Sequence, residues 1–113
     1  MGHAATAYFV SVLEVQDLRL DPQSRRVWRA EEEIRLSRKE FDLLHHLMGR
    51  AGQVVTRAEL MEHVWQTSFF TSSKTIDVHL GWLRRKLGDD PRRPHLITTL
   101  RGHGLRFETG GGA

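Results

Sequence analysis

Four apolar residues in the last third of the chain constrain its fold more than any other feature. Ile76, Leu80, Leu83 and Leu87 fall within about 60° of one another at 3.6 residues per turn. Their spacing predicts a helix over Ser73–Leu87 that is buried along one narrow stripe. More than half of its circumference is then left outside the core. Lys74, Val78, Gly81, Trp82 and Arg85 lie on that far side. Gly88-Asp89-Asp90-Pro91 is a helix stop. Beyond it, Leu96–Leu100 and Leu105–Phe107 are strand-like runs around Arg101-Gly102-His103-Gly104. Two such runs about a Gly-x-Gly break predict a β-hairpin.

The middle of the chain is helical by the same logic. Ser37 followed by Glu40 is a capping box, and Phe41, Leu44, Leu47 and Met48 continue at helical spacing until Gly52. Thr56 with Glu59 predicts a second capping box, ahead of the stripe Leu60, Met61, Val64 and Trp65. Val54-Val55, in the loop between these helices, suits a brief strand. The first third alternates apolar and polar residues instead. Val12–Val15, Leu18–Leu20, Arg26–Arg29 and Glu33–Leu36 predict a small antiparallel meander with one buried face. Asp21-Pro22 and Ala30-Glu31 mark its turns.

The resulting order is four short strands, three helices and a hairpin. The expected fold class is therefore α+β, a winged helix-turn-helix with an N-terminal four-stranded antiparallel sheet and a C-terminal hairpin as the wing. Residues 12–108 form this single domain in the expected organisation. Residues 1–11 are expected to be a disordered lead-in and residues 109–113 a flexible glycine-rich tail.

Composition removes several classes of function. The 113-residue chain has no cysteine, which excludes a disulfide framework and cysteine-based zinc sites. No apolar run approaches the ~20 residues of a membrane span, and a cytoplasmic protein with no membrane partner is expected. The adjacent His45 and His46 diverge by about 100° on a helix. His63, His79, His95 and His103 lack ligand spacing, so no metal and no cofactor are expected. There is no glycine-rich phosphate loop, nucleophile elbow or acid/base pair, and no enzyme is expected. Glu31-Glu32-Glu33 reads as a solvated turn.

Charge is unevenly placed. Met1–Ser73 carries 9 basic and 10 acidic residues, whereas Lys74–Arg106 carries 8 basic and 3 acidic. The positive field therefore belongs to the third helix and the hairpin, the footprint of a surface for phosphate polyanions. The helix at Thr56–Trp65, the eight-residue connection Gln66–Ser73 and the third helix form a helix-turn-helix with a long turn. In such motifs the second helix enters the major groove of DNA. Lys74, Arg84 and Arg85 are then candidates for phosphates or guanine edges. Thr75, Val78 and Trp82 are candidates for thymine methyls or sugars.

The chain resembles the C-terminal effector domains of OmpR/PhoB-type response regulators. The resemblance rests on six ordered strings. They are Leu36-Ser37-x-Lys39-Glu40-Phe41-x-Leu43-Leu44, Gly52-Gln53-Val54-Val55-Thr56-Arg57-x-Glu59-Leu60, His63-Val64-Trp65, Thr75-Ile76-Asp77-Val78-His79-Leu80, Leu83-Arg84-Arg85-Lys86-Leu87-Gly88, and Thr99-Leu100-Arg101-Gly102-x-Gly104-x-Arg106-Phe107. It covers roughly Leu13 to Phe107.

The resemblance implies sequence-specific double-stranded DNA binding for transcription regulation in a two-component system. By position, it places Lys74, Thr75, Val78 and Arg84 on the DNA-facing side of the recognition helix. It places His79 near phosphate, and makes Arg57 and Trp65 phosphate contacts from the supporting helix. Arg101, with Thr99 nearby, matches a wing contact in the minor groove. Asp77 matches a structural position and is expected in an intramolecular salt bridge. Phe69 and Phe70 lie in a connection that contacts RNA polymerase in the family. The family's effector domains bind tandem repeats head to tail, which makes a second protomer an expected partner. The receiver domain of such regulators has no counterpart here. The chain departs from the family pattern at Gly81 and Trp82, where polar or basic residues are usual, and at Leu105, where tyrosine is. The competing readings are a winged helix used for protein interaction and the DNA-binding domain of a larger activator that is not phosphorylated.

Overall fold

The computed structural model describes residues 11–66, 74–90, 92–93 and 95–110. The expected lead-in falls almost wholly outside these residues, as do residues 111–113 of the expected tail. Ser73, Phe69 and Phe70 also lie outside them.

Four strands open the fold: β1 (Leu13–Val15), β2 (Leu18–Asp21), β3 (Arg26–Arg29) and β4 (Glu32–Ile34). They pair antiparallel in sequence order. Leu18↔Arg29 and Leu20↔Val27 set the central register, and Val27↔Ile34 continues it. Leu18, Leu20 and Val27 thus fall on one buried face, the outcome that period-2 alternation demands. The boundaries shift slightly from expectation. Val12 stays outside β1. Glu32 and Glu33 lie in β4 rather than in a turn, and Leu36 lies past its end. The turns are where the sequence puts them. Asp21 Oδ1 accepts from the Gln23 N–H at 3.0 Å, and Ala30 turns at φ 54°.

Helix α1 spans Arg38–Gly49. Ser37 Oγ accepts from the Glu40 N–H at 3.3 Å while Glu40 Oε1 accepts from the Ser37 N–H at 2.8 Å, a complete capping box. Helix α2 spans Arg57–His63, with Thr56 accepting from the Glu59 N–H at 3.1 Å. Its expected capping box is only half present. The Glu59 carboxylate bonds His46 at 2.7 Å and Arg50 instead, joining α2 to α1. Val64 and Trp65 follow the helix rather than ending it, yet Val64 is buried and Trp65 packs against the core.

Helix α3 spans Lys74–Leu87, and Ile76, Leu80, Leu83 and Leu87 are its buried residues. They meet Phe41, Leu43, Leu44 and Leu47 of α1, Leu60 of α2 and residues of both sheets in one core. The second sheet holds β5 (Val54–Val55), β6 (Ile97–Leu100) and β7 (Gly104–Phe107) in the order β5-β7-β6. The hairpin is therefore one part of a three-stranded sheet. Gly104 begins β7 at φ 146°, and a Cβ there would stand 2.1 Å from the Val55 carbonyl oxygen. No other residue fits that approach. Leu105 is fully buried and fills its packing position.

Candidate nucleic-acid interface

The expected reading face of α3 is open. Val78 is 47% exposed and Trp82 is 46% exposed, large apolar side chains left outside the core. Lys74 and Arg85 are exposed on the same side, with Gly81 between them. The stripe explains this arrangement. With the core at 0° on the helical wheel, Lys74, Val78, Gly81 and Arg85 lie at about 140–200° and Trp82 at about 240°.

His79 is held between two indoles. Its ring centroid lies 5.3 Å from that of Trp65 and 5.1 Å from that of Trp82, both edge-on. The His79 Nδ1–H donates to the Thr75 carbonyl at 2.8 Å, and Thr75 Oγ1 stands 3.3 Å away. Trp65, Thr75, His79 and Trp82 are thus one contiguous group, joining the end of α2 to α3. Arg57 joins the same two helices from another side, with Nη2 2.7 Å from Asp77 Oδ1. Asp77 is in the intramolecular salt bridge expected of it. Arg57, expected at phosphate, has one nitrogen on this carboxylate while more than a third of its side chain stays exposed.

Arg84 departs from expectation most clearly. Its Nη2 donates to the Ile97 carbonyl at 2.7 Å and to Thr99 Oγ1 at 3.1 Å. Its Nε is buried without a partner, and burial lowers its pKa against the opposing pull of Asp89. The side chain therefore binds the wing rather than standing free on the reading face. Its place on the wheel, about 40° from Leu80, accounts for this. Thr99, expected beside the wing contact, is exposed and accepts this bond. Arg101 sits at the exposed tip of the hairpin, where the His103 N–H returns to the Leu100 carbonyl at 2.8 Å.

Two further residues position the surface, and sequence patterning does not single them out. Asp89 is buried just past α3. Its carboxylate accepts from the backbone N–H groups of His95 (2.9 Å), Leu96 (3.2 Å) and Ile97 (3.0 Å). It fixes the start of the wing relative to the end of α3. Arg29 of β3 donates to the Leu87 carbonyl, capping the last turn of α3 from the N-terminal sheet. In sequence, Asp89 is legible only as part of a helix stop, and Arg29 only as an alternating strand residue.

Electrostatic pairing separates the molecule's arginines. Arg25 lies 2.8 Å from Asp42, Arg26 2.8 Å from Glu33, and Arg29 3.1 Å from Asp17. Among the described residues, Arg85 and Arg101 have no carboxylate within ion-pair distance. They lie on α3 and the wing, on either side of the tie made by Arg84. No cluster of three metal-ligating side chains occurs among the described residues. Nor is any helix there long and apolar enough to cross a membrane.

Comparison with known proteins agrees with this geometry. Residues 31–107 match the family described as "Transcriptional regulatory protein, C terminal". The chain is 48% identical over 100 residues to the transcriptional regulatory protein TcrA of Mycobacterium tuberculosis, covering 88% of this chain and 39% of TcrA. It is 40% identical over 98 residues to the phosphate regulon transcriptional regulatory protein PhoB of Escherichia coli, covering 87% of this chain and 42% of PhoB. The chain thus spans about two fifths of the length of these curated relatives. Among solved structures, it resembles the Klebsiella pneumoniae RstA DNA-binding domain in complex with the RstA box. The TM-score is 0.82 at 30% identity, covering 88% of this chain and 99% of that one. The chain belongs to the transcriptional regulatory protein C-terminal family, the winged-helix DNA-binding effector domains of OmpR/PhoB-type response regulators.

Proposed function

We propose that this domain regulates transcription by binding a specific duplex sequence, with α3 in the major groove and Arg101 of the wing at the adjacent minor groove. The observation that carries this reading is the coincidence of unpaired arginine with an exposed apolar face. Arg85 and Arg101, free of carboxylates among the described residues, stand on the elements that also expose Val78 and Trp82. Arginine without an internal partner is available to phosphate or guanine. Val78, Trp82 and Thr75 supply apolar contacts to thymine methyls and sugars. Lys74 and His79 supply phosphate contacts beside them. Arg57 and Trp65 contact the backbone from the end of α2, and Arg57 swings from Asp77 to do so. Arg84 acts by holding Thr99 and the wing at a fixed distance from α3.

The reading extends to partners. The domain is the effector part of a longer phosphorylated regulator, two protomers occupy tandem repeats, and RNA polymerase is met through the connection that carries Phe69 and Phe70. The reading is of a binding module with no catalytic step, in the cytoplasm where chromosomal DNA is reached.

Selection from random duplexes tests it directly. An enriched motif is expected, and log affinity for that motif should fall with log salt by nearly one unit per phosphate contacted. Recovery of no motif, or a salt slope near zero, would leave protein interaction as the function of the fold.

A further inference from the structure

The solvent side of α1 takes no part in DNA binding as read above. It carries its own cleft, of about 460 Å³, between α1 and the C-terminal end of α2. Arg38, Lys39, His45, His46 and Arg50 line it from α1, and His63 lines it from α2. Asp42 is the one carboxylate among the described residues that line it. The cleft faces away from α3. Glu40, which bonds Lys86 of α3 at 2.7 Å, lies about 140–160° around α1 from the row made by Arg38, Asp42 and His45.

The carboxylates near the cleft are already neutralised. Asp42 is held by Arg25 at 2.8 Å. Glu59, on the α2 side, is held by His46 at 2.7 Å and by Arg50, and the His46 bond keeps its carboxyl below the ordinary range. The donors are only partly engaged. Arg38 has no ion pair among the described residues. Lys39 Nζ donates to the Val64 carbonyl at 2.7 Å and retains further N–H groups. His63 is exposed, with its ring stacked on that of His46 at 5.5 Å.

We propose that this cleft binds an acidic peptide segment of a partner protein, with successive carboxylates lying along α1. Arg38 and Arg50 are twelve positions apart, or about 18 Å along the helix axis. One small anion cannot span that distance, whereas about six residues of extended chain can. Two of the cleft's own donors already hold a carboxylate, since His46 and Arg50 both bond Glu59. Nucleic acid fits less well. Three cations set against one carboxylate match a short acidic segment, whereas they neutralise only a few phosphates of a long duplex.

The experiment uses the 113-residue chain and a fluorescein-labelled octaglutamate, with anisotropy read at low ionic strength. The expected result is saturable binding that weakens at least tenfold in the Arg38→Glu/His63→Glu double variant and less than twofold in Arg85→Glu. Thermal melting checks that each variant is folded. If the double variant does not fold, Arg38→Ala and His63→Ala should each weaken binding about threefold. Equal loss in Arg85→Glu would move the peptide to α3 and overturn the proposal. So would absence of binding at millimolar peptide, or displacement of the peptide by equimolar inorganic phosphate, which would mark a small-anion site. Tighter binding of oligothymidylate than of octaglutamate, lost in the same double variant, would overturn it in favour of nucleic acid.

Discussion

On β3, Arg26 and Arg29 each reach a carboxylate, on Glu33 and Asp17. On α3 and the wing, Arg85 and Arg101 reach none among the described residues. Both regions are rich in arginine, and both present it at the surface. They differ in whether the chain supplies its own counter-charge. On β3 it does, by cross-strand pairing and by the turn that follows Val15, while Arg19 of β2 lies over the Trp28 ring instead. In α3 and the wing, several cations are also taken internally: Arg84 by the hairpin backbone, Lys86 by Glu40 and Arg106 by Glu108. Regional net charge therefore locates the basic third of the chain, and pairing then separates the arginines within it that the chain itself engages from those left open. The neighbours Arg84 and Arg85 show this most plainly, one half-buried against the wing and the other open to solvent.

The contrast depends on the wing and α3 being held in fixed relation, and Asp89 is where that relation is most exposed to test. Asp89→Ala would leave three backbone N–H groups without their acceptor, at least two of them buried. A loss of about 3–5 kcal/mol is expected in urea denaturation. Asp89→Asn, which keeps one acceptor oxygen, should recover part of it. A loss below about 1 kcal/mol would mean that the wing is positioned by packing alone.

Arg101→Ala comes next. It should weaken duplex affinity by about 1–3 kcal/mol and leave the melting temperature unchanged, because the side chain makes no internal ion pair. The salt slope should fall by about one unit if the contact is to phosphate. If affinity and melting temperature fell together, Arg101 would belong with Arg84 as a residue that shapes the wing.

The extent to which these two regions were legible in the sequence follows from the range of the interactions. The α3 stripe, the Ser37 capping box and the β2–β3 alternation are patterns within a few residues, and all three appear in the structure. The strand at Val54-Val55 is also a local pattern. Its pairing with β7 joins residues about fifty positions apart, so periodicity gave no view of the three-stranded sheet. Position on the third helix and the family resemblance put Arg84 on the reading face, while its partners lie on a hairpin that helical periodicity does not place. Glu59 fits a capping box by spacing, yet His46 of α1 and Arg50 just past its end draw its side chain away. Asp89 reads as a stop signal until β6 is seen to begin at its carboxylate. The exposed contact candidates were therefore legible, and the side chains that position them were not.

A pH titration sharpens the comparison from its buried side. Burial pushes the Glu40 carboxyl up, but the Lys86 ammonium and the Ser37 backbone and hydroxyl outweigh it and leave the group below its ordinary value. A carboxyl lowered in the folded state contributes stability that is present above its unfolded pKa of about 4.3 and is lost as pH falls through the folded value. Glu59 is lowered by the His46 bond and acts in the same direction. Melting temperature should therefore fall as pH drops below about 4.5. In Glu40→Gln, neutral-pH stability should be lower by about 1–2 kcal/mol and the acid-induced drop correspondingly smaller. An identical acid drop in the variant would remove Glu40 from this account.

The smallest expected effect tests the other half of the comparison. Arg26 lies on a sheet surface with Glu33 at 2.8 Å and its guanidinium 5.0 Å from the Trp28 ring centroid. Such an exposed pair is screened by solvent and contributes little, so Arg26→Ala should leave stability nearly unchanged. It should also leave duplex affinity and the salt slope within error, although it removes the same formal charge as Arg101→Ala. The two substitutions are thus matched in charge and differ in location and pairing. Equal losses of duplex affinity would mean that the domain attracts DNA through its total charge, with no privileged role for α3 and the wing. A loss confined to Arg101 would show that unpaired charge on those elements is what the duplex meets. Glu33→Ala on its own, with Arg26 kept, separates pairing from place. If freeing Arg26 from its carboxylate raises affinity at low salt, sheet arginines are silent because they are neutralised; if it does not, they are silent because they lie off the DNA path.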